Sequence, residues 1–490
     1  MAKTKKAVKL DANGYRKFGM RDCVAYAAGD FGCNMSFALK GTVQTFWLVY
    51  MAMETGLLSG LLLLVQIWDA LNDPLIGSMI DADRRPYKKG KFKTYIFIGA
   101  VGLLFAGAAV FIPAPNASTV VKASLFIAGY VLWDAFYTTA NVPYGSMLSL
   151  VTTDATERSQ LSTWRSIGSM FGNMVPMIIL PMLIWRKEVD ANGNPVINPE
   201  TGVQVETLLG NRVFFAALIM GVIGFVAFMF MLKKITIRVD ENSVKTNDTQ
   251  KFNIFEAFGN FFRNRAAMGA TIAAMAMFLG MNSASTATTI MFATYFGQAS
   301  MSGIVSLIGF LPMFIFMPFV KKLVNKFGKK ESASAGSFVS VIGGLLMFIF
   351  PMIPDKGLAL VVYIISLGIF GFGMGIYTCV SWAFMADAID YNEWKTGKRE
   401  EGTVYSLHSF FRKLAQGVGP SVVLLLMGAL GYVSELGTEG QSLATAYNMC
   451  WLVAALYCFS GVLMFVAIKF IYNLDKKTLA QMNKDLGREA

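Results

Sequence analysis

Twelve apolar stretches, each of about 20 residues or more, run through this 490-residue sequence. A helix rises about 1.5 Å per residue, so about 20 residues cross about 30 Å of hydrocarbon. Only 15% of the residues are charged, too few to cover the surface of a soluble protein of this length. The sequence therefore predicts an all-α membrane protein with twelve transmembrane helices. The predicted helices cover approximately residues 24–52, 57–80, 94–113, 122–150, 162–184, 211–232, 266–296, 301–320, 332–353, 358–385, 403–432 and 444–472.

Lysine and arginine residues concentrate on one side of these predicted helices. Of the 43 lysine and arginine residues, 35 fall in segments on the same side of the membrane as the N-terminus, and 5 fall in segments on the other side. The excess of positive charge marks the cytoplasmic side, which predicts that both termini are cytoplasmic in the cell inner (plasma) membrane. The net charge of +12 is then mainly an orientation signal. Anionic membrane lipid is an expected secondary partner, and nucleic acid is not.

The long polar segment in the middle of the chain separates six predicted helices from the other six. The basic turn DADRRPYKKGKFK after the second helix has a counterpart, KKLVNKFGKKES, after the eighth. Basic inside loops alone would suit any polytopic protein, but repeated halves are typical of a major facilitator fold, with a substrate site near mid-membrane. We therefore predict six-helix bundles at 1–232 and 266–472, a cytoplasmic loop at 233–265 and a cytoplasmic tail at 473–490.

Several classes of enzyme and pump lack the residues they need here. The chain has one histidine, His408, and its five cysteines include no C-x-x-C pair, so we expect buried thiols and no zinc site. No G-x-x-x-x-G-K-[ST] motif for nucleotide binding is present. The sequence therefore predicts a protein that is not an enzyme, has no cofactor and does not use ATP.

Two acidic residues lie deep in the second predicted helix, in LLLLVQIWDALNDPLIG. Asp69 and Asp73 are four residues apart, so both project from one helical face, with Asn72 beside them. One ionised aspartate at the centre of a spanning helix costs about 2.5–3.5 kcal/mol. Oxygen ligands suit Na⁺, whereas burial and mutual repulsion favour the uptake of H⁺. The alternative is a structural ion pair with Lys413 or Arg165.

The fourth predicted helix carries a polar and aromatic stripe that suits a sugar. Tyr137, Thr138, Asn141 and Tyr144 share one face, and Trp133 is one turn before Tyr137. Such groups hydrogen-bond to and stack on sugars, although Thr and Asn also join membrane helices to each other.

Further charged residues lie within predicted spans. Asp30, Lys40 and Asp134 are either structural partners of other polar groups or residues of the site. Lys413 is a candidate partner for the carboxylates of the second helix or a hydrogen-bond donor to the substrate.

Six motifs together resemble the glycoside–pentoside–hexuronide:cation symporter family, the melibiose permease-like branch of the major facilitator superfamily. They occur in the family's order and are spread over most of the chain. The motifs are YAAGDFGCN (26–34), WDALNDPLIG (68–77), KGKFK (89–93), YTTANVPYGSM (137–147), ERSQL (157–161) and ADAIDYNEWKTGKRE (386–400).

The resemblance implies import of a sugar or glycoside with a coupling ion, Na⁺, H⁺ or Li⁺, by alternating access. It implies cation binding by Asp69, Asn72, Asp73 and Thr138, with Asp69 and Asp73 as metal ligands if the ion is Na⁺. The predicted substrate-binding residues are Asn34, Trp133, Tyr137, Asn141, Tyr144, Arg165, Thr378 and Lys413.

The sequence departs from the melibiose permease-like pattern at three sugar-site positions. Asn34 and Asn141 replace sugar-binding aspartates, and Gly145 replaces a tryptophan. The loss of negative charge would tolerate an anionic sugar such as a glucuronide or sulfosugar, and a neutral pentoside or β-glycoside fits as well. Two other functions stay open: a cation-independent sugar facilitator or exporter, and a non-transporting sensor on the same fold.

Overall fold

A computed structural model describes residues 15–83, 85–152, 154–239, 254–397 and 401–487. Apart from two short strands, the regular structure of these residues is helical. The chain divides into two compact units, which differ from a simple split at the central polar segment. The first unit comprises Met1–Phe46, Ile67–Leu183 and Leu209–Asp248, and the second comprises Trp47–Gln66, Ile184–Leu208 and Thr249–Ala490.

The helices before residue 240 follow the predicted apolar stretches closely. They are α1 (Met20–Phe37), α2 (Lys40–Thr45), α3 (Thr55–Ala82), α4 (Lys91–Ala109), α5 (Thr119–Val151), α6 (Ala155–Ile184) and α7 (Gly210–Lys234). Between α6 and α7, strands β1 (Trp185–Lys187) and β2 (Glu206–Leu208) pair antiparallel, with Arg186 opposite Thr207.

The helices after residue 253 complete the second half of the chain. They are α8 (Ile254–Arg263), α9 (Arg265–Phe278), α10 (Ala284–Met291), α11 (Ser302–Phe327), α12 (Lys329–Leu346), α13 (Lys356–Thr396), α14 (Glu401–Ala429), α15 (Leu443–Val466) and α16 (Lys476–Asp485).

Long apolar helices confirm the predicted membrane class. Within the described residues, nine helices are long and apolar enough to cross a membrane, and each of the twelve predicted stretches overlaps helical residues. The first, seventh and eighth stretches are not among the nine. The first and seventh are each broken into shorter helical pieces, and the eighth is represented by a shorter apolar helix, Ala299–Gly309.

The two breaks occur at matching places in the halves of the chain. After α1 and α2, the first stretch continues as a π-helical turn, Phe46–Tyr50. The seventh stretch, which contains α9 and α10, has π-helical turns at Leu279–Ser283 and Phe292–Phe296. A further π-helical turn, Ala467–Ile471, lies in the twelfth stretch. Such turns are rare in proteins, and where they occur they are often found at functional sites.

The basic turn after α3 is anchored by Asp83. Its carboxylate accepts hydrogen bonds from the hydroxyls of Tyr87 and Tyr95 and from the backbone N–H of Arg85. These donors favour the ionised form and lower the pKa of Asp83 to about 2. The turn that carries the predicted cytoplasmic charges is therefore held by a carboxylate that stays ionised at any physiological pH.

Candidate functional site

Helices α3 and α5 meet through a buried polar cluster. The side-chain amide of Asn72 donates to Asp134 Oδ2 at 2.9 Å and to Thr138 Oγ1 at 3.0 Å. The Thr138 hydroxyl in turn donates to Asp73 Oδ1 at 2.9 Å. Asn72, Asp134 and Thr138 are each at most 2% exposed. We call Asn72, Asp73, Asp134 and Thr138 the carboxylate cluster.

Helical periodicity explains why these residues meet. Asp134 and Thr138 are four residues apart on α5, as are Asp69 and Asp73 on α3, so each pair shares one helical face. The structure thus brings together three of the four predicted cation-binding residues, Asn72, Asp73 and Thr138, and adds Asp134 to them.

The fourth predicted cation-binding residue, Asp69, faces a lysine of the first stretch. Lys40 Nζ lies 3.5 Å from Asp69 Oδ2. The sequence offered Lys413 or Arg165 as an alternative ion-pair partner for these carboxylates, and Arg165 lies instead 3.1 Å from Asp30 Oδ1. Among the contacts described, Asp69 meets Lys40 and Asp73 meets Thr138.

A second polar cluster lies between α1 and α6. Arg165 Nε donates to Asp30 Oδ1 at 3.1 Å. The Asn34 amide donates to Asp30 Oδ2 at 3.2 Å and to the Asp30 carbonyl oxygen at 2.8 Å. The Asn173 amide completes the chain by donating to Asn34 Oδ1 at 2.6 Å. We call Asp30, Asn34, Arg165 and Asn173 the amide–guanidinium cluster.

Tyr144 forms one wall of this second cluster. Its hydroxyl donates to the Tyr26 carbonyl oxygen at 2.8 Å, and the two rings stack with centroids 4.7 Å apart. The Arg165 guanidinium carbon lies 5.2 Å from the centre of the Tyr144 ring. A side chain at Gly29 would collide with this ring at about 2.5 Å, which explains the glycine in YAAGDFG. Two predicted substrate-binding residues, Tyr144 and Arg165, are thus in contact.

The other predicted substrate-binding residues are more dispersed. The Trp133 indole donates to Ser36 Oγ at 2.6 Å and belongs to the surroundings of Lys40. Tyr137 lies beside Phe37 with ring centres 6.0 Å apart, and Asn141 is half-buried on the same helix.

Two predicted substrate-binding residues lie in the second unit. The Thr378 hydroxyl donates to the Met374 carbonyl oxygen of its own helix at 2.9 Å. Lys413 is half-buried on α14. Their part in a common site remains a prediction.

Asn173 is the residue of the second cluster that the sequence interpretation missed. It lies eight residues after Arg165, near the same face of α6, and is a lone amide in the apolar run FGNMVP. That spacing was the available signal, but a single amide in a membrane helix is also common as a contact between helices.

Solved structures of membrane carriers share this architecture. A D-xylose–proton symporter matches with a TM-score of 0.60 and 14% identity, over 93% of this chain and 98% of the other. At this identity the match shows the fold alone. The chain belongs to the family described as MFS/sugar transport protein, whose profile matches residues 25–476 and places it in the major facilitator superfamily. This is the glycoside–pentoside–hexuronide type that the motifs indicated.

Relatives match over nearly the whole chain. An uncharacterized symporter, YjmB of Bacillus subtilis, is 30% identical over 97% of both chains. An isoprimeverose transporter of Lactiplantibacillus pentosus is 27% identical over 95% of this chain and 91% of its own. A putative sulfoquinovose importer of Salmonella typhimurium is 26% identical over 96% of this chain and 93% of its own. The protein is therefore a multi-pass inner-membrane sugar transporter and not an enzyme, as predicted.

Proposed function

We propose that this chain imports a sugar or glycoside together with a monovalent cation, Na⁺ or H⁺, by alternating access. The carboxylate cluster is the observation that carries the proposal. Two acidic side chains, Asp134 and Asp73, are linked at the contact of α3 and α5: Asp134 accepts from the Asn72 amide, which donates to the Thr138 hydroxyl, and that hydroxyl donates to Asp73. We place the cation there and the sugar at the amide–guanidinium cluster.

The cost of buried carboxylates supports a cation-binding role. An aspartate in the middle of a spanning helix costs about 2.5–3.5 kcal/mol, and two of them repel each other. A cation that binds in one state of the transport cycle and leaves in another offsets this cost while it is bound. Cation binding is thereby coupled to sugar transport.

The amide–guanidinium cluster supports a substrate with hydroxyl groups and accommodates a negative charge. A guanidinium has five N–H donors, and the Arg165 contact with Asp30 uses its Nε. The Arg165 side chain is 38% exposed, so its terminal nitrogens suit a carboxylate or sulfonate. The names of the relatives include a sulfoquinovose importer and an isoprimeverose transporter, so both an anionic and a neutral sugar belong in the test.

One coupled charge supplies enough free energy for strong accumulation. A unit charge that crosses 100 mV releases about 2.3 kcal/mol. Since about 1.4 kcal/mol corresponds to a tenfold concentration ratio, the membrane potential alone supports roughly 40–50-fold accumulation of a neutral sugar. An inward gradient of the cation adds to this ratio.

The test is uptake into proteoliposomes that contain the purified protein. Radiolabelled sulfoquinovose, isoprimeverose and a glucuronide are offered while the Na⁺ gradient and the pH gradient are varied separately. We expect at least one sugar to accumulate, with a rate that rises with an inward gradient of Na⁺ or H⁺. Sugar entry that is the same under every imposed gradient would contradict cation coupling.

A second candidate function is a cation-independent sugar facilitator or exporter. It is favoured by the ion pair between Lys40 and Asp69, because a basic neighbour already neutralises one predicted cation ligand. A facilitator equilibrates the sugar across the membrane but never accumulates it, so the same experiment separates the two. Sugar binding without any flux would instead indicate a non-transporting sensor.

A further inference from the structure

The ammonium group of Lys40 occupies a position at which a mobile cation would otherwise meet Asp69. Its Nζ lies 3.5 Å from Asp69 Oδ2, and both side chains are largely removed from solvent. A lysine of a membrane helix normally extends its charge towards the interface. Lys40 instead directs its charge to a carboxylate of α3.

Aromatic rings hold the Lys40 ammonium in this position. It lies 5.1 Å from the centre of the Phe37 ring, 5.8 Å from Tyr130 and 5.9 Å from Trp133. Each distance is within the range of a cation–π interaction. The Trp133 ring is itself fixed by its hydrogen bond to Ser36 at 2.6 Å. We call Phe37, Tyr130 and Trp133 the aromatic cage.

The backbone of the first stretch explains how the cage forms. α1 ends at Phe37 and α2 begins at Lys40. Between them the Leu39 N–H donates to the Ser36 carbonyl oxygen at 3.1 Å, an i to i−3 bond that tightens the turn. Residues three apart then lie on the same side, so the Phe37 ring and the Lys40 side chain are neighbours.

We propose that Lys40 is a tethered cation that holds Asp69 in place of a mobile alkali ion, so that transport by this chain does not require Na⁺ or Li⁺. The inference rests on the proposed function, which it narrows. An ammonium fixed beside a carboxylate has a very high effective concentration, and it repels any second cation that approaches the same oxygen atoms. The cation that drives sugar transport then binds at the carboxylate cluster, and Lys40 is the residue that determines ion specificity.

Binding of radioactive Na⁺ to the purified protein tests this assignment without any knowledge of the sugar. The variants are Lys40→Met, the double variant Lys40→Met/Asp69→Asn, and the control Lys187→Met, which removes an exposed lysine on β1. We expect weak Na⁺ binding in the wild type and the control. Lys40→Met should bind Na⁺ at least about tenfold more tightly, and the double variant should return to the weak wild-type affinity.

Equal Na⁺ affinity in the wild type and Lys40→Met would overturn the inference. If Lys40→Met does not fold, sugar uptake by the wild type provides the test. Replacing Na⁺ by choline should leave this uptake unchanged, and loss of uptake would refute the tethered cation. The proposed function fails separately, when no imposed gradient drives accumulation of any sugar. In that case the Na⁺-binding comparison still determines whether Lys40 excludes the ion.

Discussion

Asn72 joins the two helices that carry the candidate cation site. Its amide reaches both Asp134 and Thr138, and Thr138 passes the connection on to Asp73. A change in how Asp73 is neutralised therefore reaches α5 through the Thr138 hydroxyl. The next residue, Thr139, provides a comparison, because its hydroxyl donates to the Ala135 carbonyl oxygen of its own helix.

We predict that Thr138→Val weakens cation coupling and that Thr139→Val does not. A hydrogen bond to a charged group contributes about 1.5–3 kcal/mol, which corresponds to a fall of about tenfold or more in affinity for the driving cation. The measurement is the cation concentration that gives half-maximal sugar uptake. Equal shifts in the two variants would mean that the Thr138 contact has no special role.

At the scale of elements, the amide–guanidinium cluster depends on a close approach of α1 and α6. Gly168 and Gly172 are one turn apart on α6, and side chains there would meet the backbone of Ala27 and Phe31 on α1. Small residues at this spacing let membrane helices come together. Arg165 lies three residues before Gly168 on α6. The close approach of the two helices therefore sets the distance between Arg165 and Asp30 on α1.

We predict that Gly168→Ala destabilises the protein and reduces sugar affinity together, because an added methyl group would force α1 and α6 apart. Overpacking of this kind costs about 1–3 kcal/mol. Gly60→Ala on α3 is the control, since its added methyl group would meet nothing within 4 Å. Thermal unfolding in detergent, followed by sugar-binding measurements, checks both effects. A Gly168→Ala protein as stable as Gly60→Ala would contradict the close approach.

The β1–β2 hairpin is an element of the second unit and is held there by a buried acid. Glu206 is 1% exposed and accepts hydrogen bonds from Ser300 N at 3.0 Å and Ser300 Oγ at 2.9 Å. Its carbonyl oxygen accepts from the Thr438 hydroxyl at 3.1 Å. Lys356 adds a hydrogen bond to the Thr201 carbonyl oxygen at 2.8 Å.

We predict that Glu206→Ala releases this hairpin, because it leaves the Ser300 donors unpaired at a cost of about 1–3 kcal/mol each. The readout is the rate of proteolytic cleavage between residues 188 and 206. Glu200→Ala, which removes an exposed glutamate of the same segment, should be cleaved at the wild-type rate. Resistance of Glu206→Ala to cleavage would show that other contacts suffice to hold the hairpin.

At the scale of the whole molecule, the sequence predicted the membrane class and singled out most residues of the two clusters, but it did not predict how they pair. Apolar stretches reveal span positions because length and hydrophobicity are properties of one segment. Pairing depends on how each helix is rotated about its axis, and helices that are apolar on most faces carry little record of that rotation. The contacts of Asp134 with Asn72 and of Lys40 with Asp69 therefore required the structure, and so did the assignment of the hairpin to the second unit.

The central claim is that Asp73 in the carboxylate cluster couples cation entry to sugar movement. Asp73→Asn removes the charge while keeping the size and the acceptor for Thr138. The most direct measurement compares concentrative uptake with sugar exchange in the same proteoliposomes. The account predicts that Asp73→Asn loses gradient-driven accumulation but still exchanges internal for external sugar. Full accumulation by Asp73→Asn under the same gradient would contradict it.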